Sequence, residues 1–244
     1  MFEHGWVPNV VLADGGNRVD LDQLRERMRR MEGGLGSAGG GAGEFARPEL
    51  ESLPGLAQVL RLRAGGSYQV EGHSLALALM AGPSRGGAWC AVVGVPDFGA
   101  EAAAELGVVL ERTILVPDPG PSWLEATAAL VDVASLVLVR PSDRVAEAVA
   151  AKMSARLRKR GAALVSLGPW PRAEATARLV TPRWAGLGRG EGHLRSREVV
   201  VEVRRGAAPP RRTALLFPGP DGTPVTAPMS TAPGSTAVLR EVAV

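Results

Sequence analysis

The chain has 244 residues, is 45% hydrophobic and carries 28 Lys+Arg against 25 Asp+Glu, for a net charge of +3, with a single cysteine. That length and apolar content suffice for one sizeable core with tails to spare, and a lone cysteine excludes an internal disulfide. No run approaches the roughly 18 uninterrupted apolar residues of a membrane helix, and MFEHGWVPNV lacks a basic segment followed by an apolar one, so a soluble cytoplasmic protein is expected.

Residues 1–18 have no clear period and read as a loose extension. An amphipathic helix is predicted over 19–32: Asp20 can cap it while Gln23 reaches back, and Leu21, Leu24, Met28 and Met31 make one narrow apolar stripe. A flexible linker follows over 33–48, with GGLGSAGGGAG at its centre. The stripe therefore suits docking on another protein as well as on its own domain, and its four residues are candidate partner contacts.

From 49 to 205 the pattern is βαβ. Apolar runs at Tyr68 to Val70, Ala88 to Val93, Thr113 to Val116, Leu136 to Val139 and Ala162 to Leu167 alternate with helical segments at Ala100 to Leu106, Trp123 to Val133 and Arg144 to Arg160. Such strands need cover on both faces, so an α/β fold with a mainly parallel sheet flanked by helices is predicted. Cys90 falls inside the second run and reads as a buried thiol. REVVVEVRR, Arg197 to Arg205, alternates like an edge or antiparallel strand. Residues 206–244 hold seven prolines and are expected to be a mostly disordered tail, in which Leu215, Leu216 and Phe217 of ALLF are further candidate partner contacts.

The stretch VEGHSLALALMAG has the frame of a phosphate-binding loop, an apolar strand ending at a glycine before a helix, but not the loop. A P-loop wraps backbone N–H groups round the phosphates and adds a lysine and a hydroxyl. Here Gly72, His73 and Ser74 pass straight into LALAL, with no second glycine and no lysine. Ser74 is expected to cap the helix. His4, His73 and His193 lack metal-ligand spacing, and Asp97 and Asp143 read as loop or cap residues, so neither a metal nor a cofactor is expected.

LPGLAQVLRLRAGGSYQVEG, the segment GAWCAVVGVPDFGAEAAAELG and its continuation, VAEAVAAKMSARLRKRGAALVSLG and HLRSREVVVEVRRG follow one another in the order of the RecA core. The chain resembles the RecA-like ImuA family, especially its actinobacterial ImuA-prime branch. The resemblance implies a RecA-like core whose Walker A lysine and threonine fall in a deletion at His73 and Ser74. It sets the catalytic glutamate's place near Gly94 and Val95, the magnesium-binding aspartate's place at Arg140, and the phosphate-sensing glutamine's place at Gly168. Loss of all four implies a degenerate nucleotide site and no ATPase.

Arg140 to Arg212 contain 17 Lys+Arg against 6 Asp+Glu, net +11, while the rest of the chain is net −8. This asymmetry favours a polyanion or an acidic protein surface as partner. Lys152, Arg156, Lys159 and Arg160 share one face of a predicted helix and are candidate phosphate contacts. Gly168 to Arg197 lies where RecA has a DNA-binding loop, and Trp170, Arg172, Arg183, Trp184, Arg189 and Arg195 would suit stacking and phosphate contact. ImuA-type proteins are damage-inducible accessory factors of a bacterial mutagenesis complex. By resemblance the chain is expected to be an SOS-response adaptor in translesion synthesis, binding an ImuB-type Y-family polymerase relative and its mutasome, and joining the nucleoid on damage. RecA and single-stranded DNA are further expected partners. The alternatives are a DNA-binding regulator of RecA filaments and a division inhibitor of the SulA type.

Overall fold

Four-residue aliphatic runs, buried along their whole length, make the centre of the molecule. In the computed structural model, which describes residues 11–12, 47–188, 191–219 and 222–227, they are strands of one mixed sheet. Its members in chain order are β1 (Val11–Leu12), β2 (Ser67–Glu71), β3 (Cys90–Val93), β4 (Thr113–Val116), β5 (Leu136–Val139), β6 (Ala163–Leu167), β7 (Ala175–Gly188), β8 (Glu191–Arg204), β9 (Arg211–Leu216) and β10 (Val225–Thr226). The spatial order is β1-β4-β3-β5-β6-β2-β7-β8-β9-β10. Pairing is parallel from β1 to β7 and antiparallel from β7 to β10, so the sheet is parallel in its first part only.

Helices cover both faces of the parallel part. On one face lie α1 (Pro54–Ala57), α2 (His73–Arg85) and α3 (Ala100–Glu105), packed with Tyr68, Val70, Val92 and Leu138. On the other lie α4 (Trp123–Val131) and α5 (Glu147–Arg160), packed with Ala91, Val93, Ile114 and Val137. α2 is apolar nearly all round, as a helix sunk in the core must be, and is buried continuously from Leu75 to Ser84. Gly82 lets it press on the preceding segment, because a β-carbon there would come within 2.5 Å of the Glu51 carbonyl oxygen. α5 buries Met153 and Leu157, as its spacing predicts, and ends at Gly161 in the left-handed region (φ 69°). It begins at Glu147 and not at Arg144, because Ala146 is extended. Among the described residues no helix is long and apolar enough to cross a membrane.

The structure corrects several expectations. Val11 and Leu12, inside the expected loose extension, pair with Ile114 and Leu115. Gly168 to Arg197 is mostly not a loop: β7 and β8 are long strands of one hairpin, with a register shift between Val180 and Arg183 where Pro182 interrupts the ladder. β8, expected as an edge or antiparallel strand, is antiparallel to both its neighbours but lies between β7 and β9 and not at an edge, burying Val199, Val201 and Val203. The stretch after residue 206, expected to be a mostly disordered tail, contributes β9 and β10. Its alternation places Leu215 (0% exposed) and Phe217 (3% exposed) in the core, with Leu216 half-buried. Leu215 and Phe217, expected as partner contacts, are therefore core residues, spent on the sheet's own packing. Leu21, Leu24, Met28 and Met31 lie outside the described residues, as do 228–244.

Candidate functional site

The parallel strands point their carboxyl ends to one edge, where the β2–α2, β3–α3 and β5–α5 connections and the end of β6 meet. β3 leads outward to β4, while β5, on its other side, leads to β6. The crevice between β3 and β5 is thus the switch point at which open α/β sheets place ligands.

That crevice is bridged by side chains of the protein itself. Arg140, the first residue after β5, donates from Nη1 to Asp97 Oδ1 at 2.9 Å and from Nη2 to Asp97 Oδ2 at 3.4 Å. Arg140 Nη2 also meets His73 Nε2, at the first residue of α2. An arginine has no acceptor, so this ring nitrogen accepts. His73 Nε2 lies 3.5 Å from Asp97 Oδ2. The Arg140 guanidinium, helped by the backbone, holds the Asp97 carboxyl below its ordinary range. One arginine, one aspartate and one histidine from three connections so meet across the mouth of the crevice, all three still reached by solvent.

The backbone agrees. Gly72, the residue before α2, has φ 98°, and no side chain caps the helix. Ser74, expected as the cap, lies inside the first turn, and its hydroxyl receives a bond from Arg197 Nη2 at 3.3 Å. Gly94 has φ 72°, and a β-carbon there would stand 2.6 Å from the Arg140 carbonyl oxygen. No side chain fits at that strand end without displacing the β5 connection. Gly168, at the end of β6, has φ 128°. The chain's two lysines are both on α5, far along the sequence from the start of α2.

The sequence pattern does not single out Arg197. It projects from β8, donates from Nε to the Phe217 carbonyl oxygen at 3.0 Å, and lies over the rings of Trp184 (5.2 Å) and Phe217 (5.3 Å). Burial pushes its pKa down. No sequence signal marks it, because Ser74 is 123 residues away.

The structure separates the basic candidates. Arg156 makes two 2.8 Å bonds to Asp132, just after α4, and Arg160 adds one at 3.1 Å. These two arginines tie α5 to α4, and together they hold the Asp132 carboxyl below its ordinary range, Arg156 most strongly. Lys152 and Lys159 are exposed. Trp170 is 3% exposed, inside the α4/α5 core with its backbone N–H on Gln69 Oε1, so it is not a stacking platform. Trp184 is 53% exposed. Arg183 is exposed, and Arg172 is exposed beside Glu147 at 3.5 Å. The side chains of Arg189 and Arg195 lie outside the described residues. Asp143 accepts a bond from the neighbouring Ser142 hydroxyl. Among the described residues no group of three His, Cys, Asp or Glu side chains could hold a metal ion. Cys90 is buried, and burial pushes its thiol up to about 12.

The fold and the edge together define an α/β protein with a large mixed sheet, helices on both faces and a crevice occupied by its own ion pair. The family described as MT3502 N-terminal domain matches residues 55–172, which run from α1 to the connection before β7. The chain is also similar to the uncharacterized protein Rv3395c of Mycobacterium tuberculosis, 39% identical over 100 residues, or 40% of this chain and 49% of that protein. It thus spans about half the length of the curated relative it matches.

Proposed function

We infer that this chain is a non-catalytic, RecA-like accessory protein of the ImuA-prime type, acting as an adaptor in a damage-induced translesion-synthesis complex with an ImuB-type polymerase relative. The observation that carries the reading is the Arg140–Asp97 pair. At a strand end where the resemblance calls for an acid beside magnesium, a guanidinium is already bonded to the nearest carboxylate. A triphosphate carries several negative charges and needs a lysine, a metal ion or a run of free N–H groups. Arg140 is committed to Asp97, Gly94 has no space for a side chain to orient a water, and neither lysine lies on α2 or beside it.

The placement of the corresponding segments supports the RecA-like part. The β2–Gly72–α2 unit, Gly94 after β3, Arg140 after β5 and Gly168 after β6 all lie at one edge of one sheet, as the resemblance requires. With the crevice closed, function falls to outer surfaces, and binding to a polymerase relative is the activity the family resemblance favours.

Two measurements test the two halves. Calorimetric titration with a non-hydrolysable ATP analogue and Mg²⁺ is expected to give no saturable heat, and saturation at micromolar analogue would refute a crevice closed to nucleotide. Co-expression with an ImuB-type partner is expected to give a complex that survives gel filtration, and separate elution of the two chains would refute the adaptor role.

A further inference from the structure

A cavity of about 200 Å³ opens at the amino end of β2. Gly65 and Ser67 form one wall, Ser154 and Arg158 of α5 a second, and Arg172 and Glu174, from the connection into β7, a third. Ser67 begins β2, whose other end leads through Gly72 to the crevice, so the two places lie at opposite edges of the sheet. Tyr68 and Val70 pack with α2, and strand alternation therefore turns Ser67 towards α5. Ser154 and Arg158, four residues apart on that helix, share one face. Gly65 brings Arg158 close, because a β-carbon there would stand 2.8 Å from Arg158 Cγ. Arg172 is held at φ 59°, in the left-handed region that residues with a side chain seldom occupy. Backbone strain of this kind gathers at ligand clamps.

The polar groups around this space are only half answered by one another. Ser67 is 3% exposed, yet its hydroxyl has no hydrogen-bond partner among the described residues. Buried hydroxyls nearly always find one. Arg158 is exposed and pairs with no carboxylate among the described residues, and Arg172 has only Glu147, at 3.5 Å on the open surface. Guanidiniums have no acceptor, so these two call for an anion. Glu174 and Ser154 call for the opposite. Glu174 accepts from Arg47 on Oε1 and from the Tyr68 hydroxyl on Oε2 at 3.3 Å, which leaves lone pairs on both oxygens. Ser154 donates its one proton to the Ala150 carbonyl oxygen at 2.9 Å and can thereafter only accept.

We propose that this cavity binds a free α-amino acid, with its carboxylate on Arg158, Arg172 and the Ser67 hydroxyl and its ammonium on Glu174 and Ser154. A planar carboxylate matches a guanidinium fork through two parallel bonds. Acetate or inorganic phosphate would leave Glu174 and Ser154 without a donor and would face the Glu174 carboxylate with like charge. A simple amine would leave both arginines unanswered. The volume is below the roughly 300–1,000 Å³ of sites that enclose drug-sized ligands, which suits an amino acid and is too small for a nucleotide. No residue of the edge that holds Arg140 takes part, so the proposal stands or falls independently of the crevice.

The test is calorimetric titration of the full chain with each proteinogenic α-amino acid in turn. At least one is expected to give saturable heat. Its N-acetyl derivative, which lacks the ammonium, and its primary amide, which lacks the carboxylate, are each expected to bind about tenfold or more weakly. Arg158→Gln is expected to weaken binding of the free amino acid to the same degree. It breaks no ion pair among the described residues, so its thermal melt should match the parent's. Ser67→Ala should weaken binding by about three- to tenfold with a melting temperature unchanged or raised, since the hydroxyl it removes is one the fold does not satisfy. Arg61→Gln, the same charge loss beside Glu49, should leave affinity unchanged. The proposal is overturned if no amino acid binds at millimolar concentration, or if either derivative, acetate or inorganic phosphate binds as tightly. It is also overturned if Arg158→Gln or Ser67→Ala keeps the parent's affinity, and Ser67→Ala alone decides should Arg158→Gln melt lower.

Discussion

Arg140 and Asp97, 43 residues apart, meet across the crevice between β3 and β5 through two hydrogen bonds of 2.9 and 3.4 Å. An acid placed at position 140 would supply one carboxylate to a magnesium ion but no contact to a phosphate. Arg140→Asp is therefore expected to bind Mg²⁺ and an ATP analogue no better than the parent in a calorimetric titration. Micromolar affinity in this variant alone would mean that Arg140 is the sole obstacle to nucleotide.

Glu202 should govern part of the acid stability. Its carboxyl is lowered from 4.5 to about 2, chiefly by its bonds to Arg212, against burial, which acts the other way. A folded-state value below the unfolded one contributes stability that is full above about pH 4.5 and disappears as pH falls through about 2. Glu202→Gln is expected to lower the melting temperature at pH 7 and to flatten its dependence between pH 4.5 and 2. Asp97, Asp132 and Glu49 are lowered too, so some slope should persist. A variant profile parallel to the parent's across that window would remove Glu202 from the account.

At Gly82 helix propensity and packing predict opposite signs. Glycine to alanine inside a helix normally stabilises by about 1 kcal/mol. Here the added methyl would stand 2.5 Å from the Glu51 carbonyl oxygen and 2.7 Å from the Ser52 α-carbon, both backbone atoms. Gly82→Ala should accordingly destabilise by about 1–3 kcal/mol. Urea unfolding measures it, and a gain in stability would show that the segment before α1 yields freely.

The stretch beyond residue 206 is expected to be indispensable to the fold. Leu215→Ala removes a fully buried side chain and should cost about 2–5 kcal/mol, with a smaller loss for half-buried Leu216→Ala. Truncation after Gly206 would bare Val199, Val201 and Val203, and should give an aggregating or uncooperatively melting product. A truncated chain with the parent's melting curve would return this segment to the role of a tail.

The parallel half of the sheet is readable in the sequence because each of its strands is a compact apolar run, punctuated by helices whose inward residues recur every three or four positions. Met153 and Leu157 are buried as that spacing requires. In the antiparallel half only the end of β8 shows itself, through the alternation of REVVVEVRR; β7 and β9 do not. Pro182 and the Gly-rich end of β7 look like loop residues, and β9 follows two prolines; both strands gain order from neighbours far away in sequence. The burial of Trp170 and Phe217 is hidden for the same reason, since flanking prolines describe the local chain and not what closes over it. Among the charges, Arg156 and Arg160 find Asp132 at separations of 24 and 28 residues, and Arg140 finds Asp97 at 43. No helical or strand period encodes such pairs.

Gly94 turns the closed crevice into a ratchet. An acid introduced there alone must adopt a φ of 72° and push its β-carbon against the Arg140 carbonyl oxygen. An acid introduced at 140 alone abandons Asp97 and faces it with like charge. Either first step is worse than the present arrangement, so carboxylates cannot be added to this edge one at a time without a loss of stability.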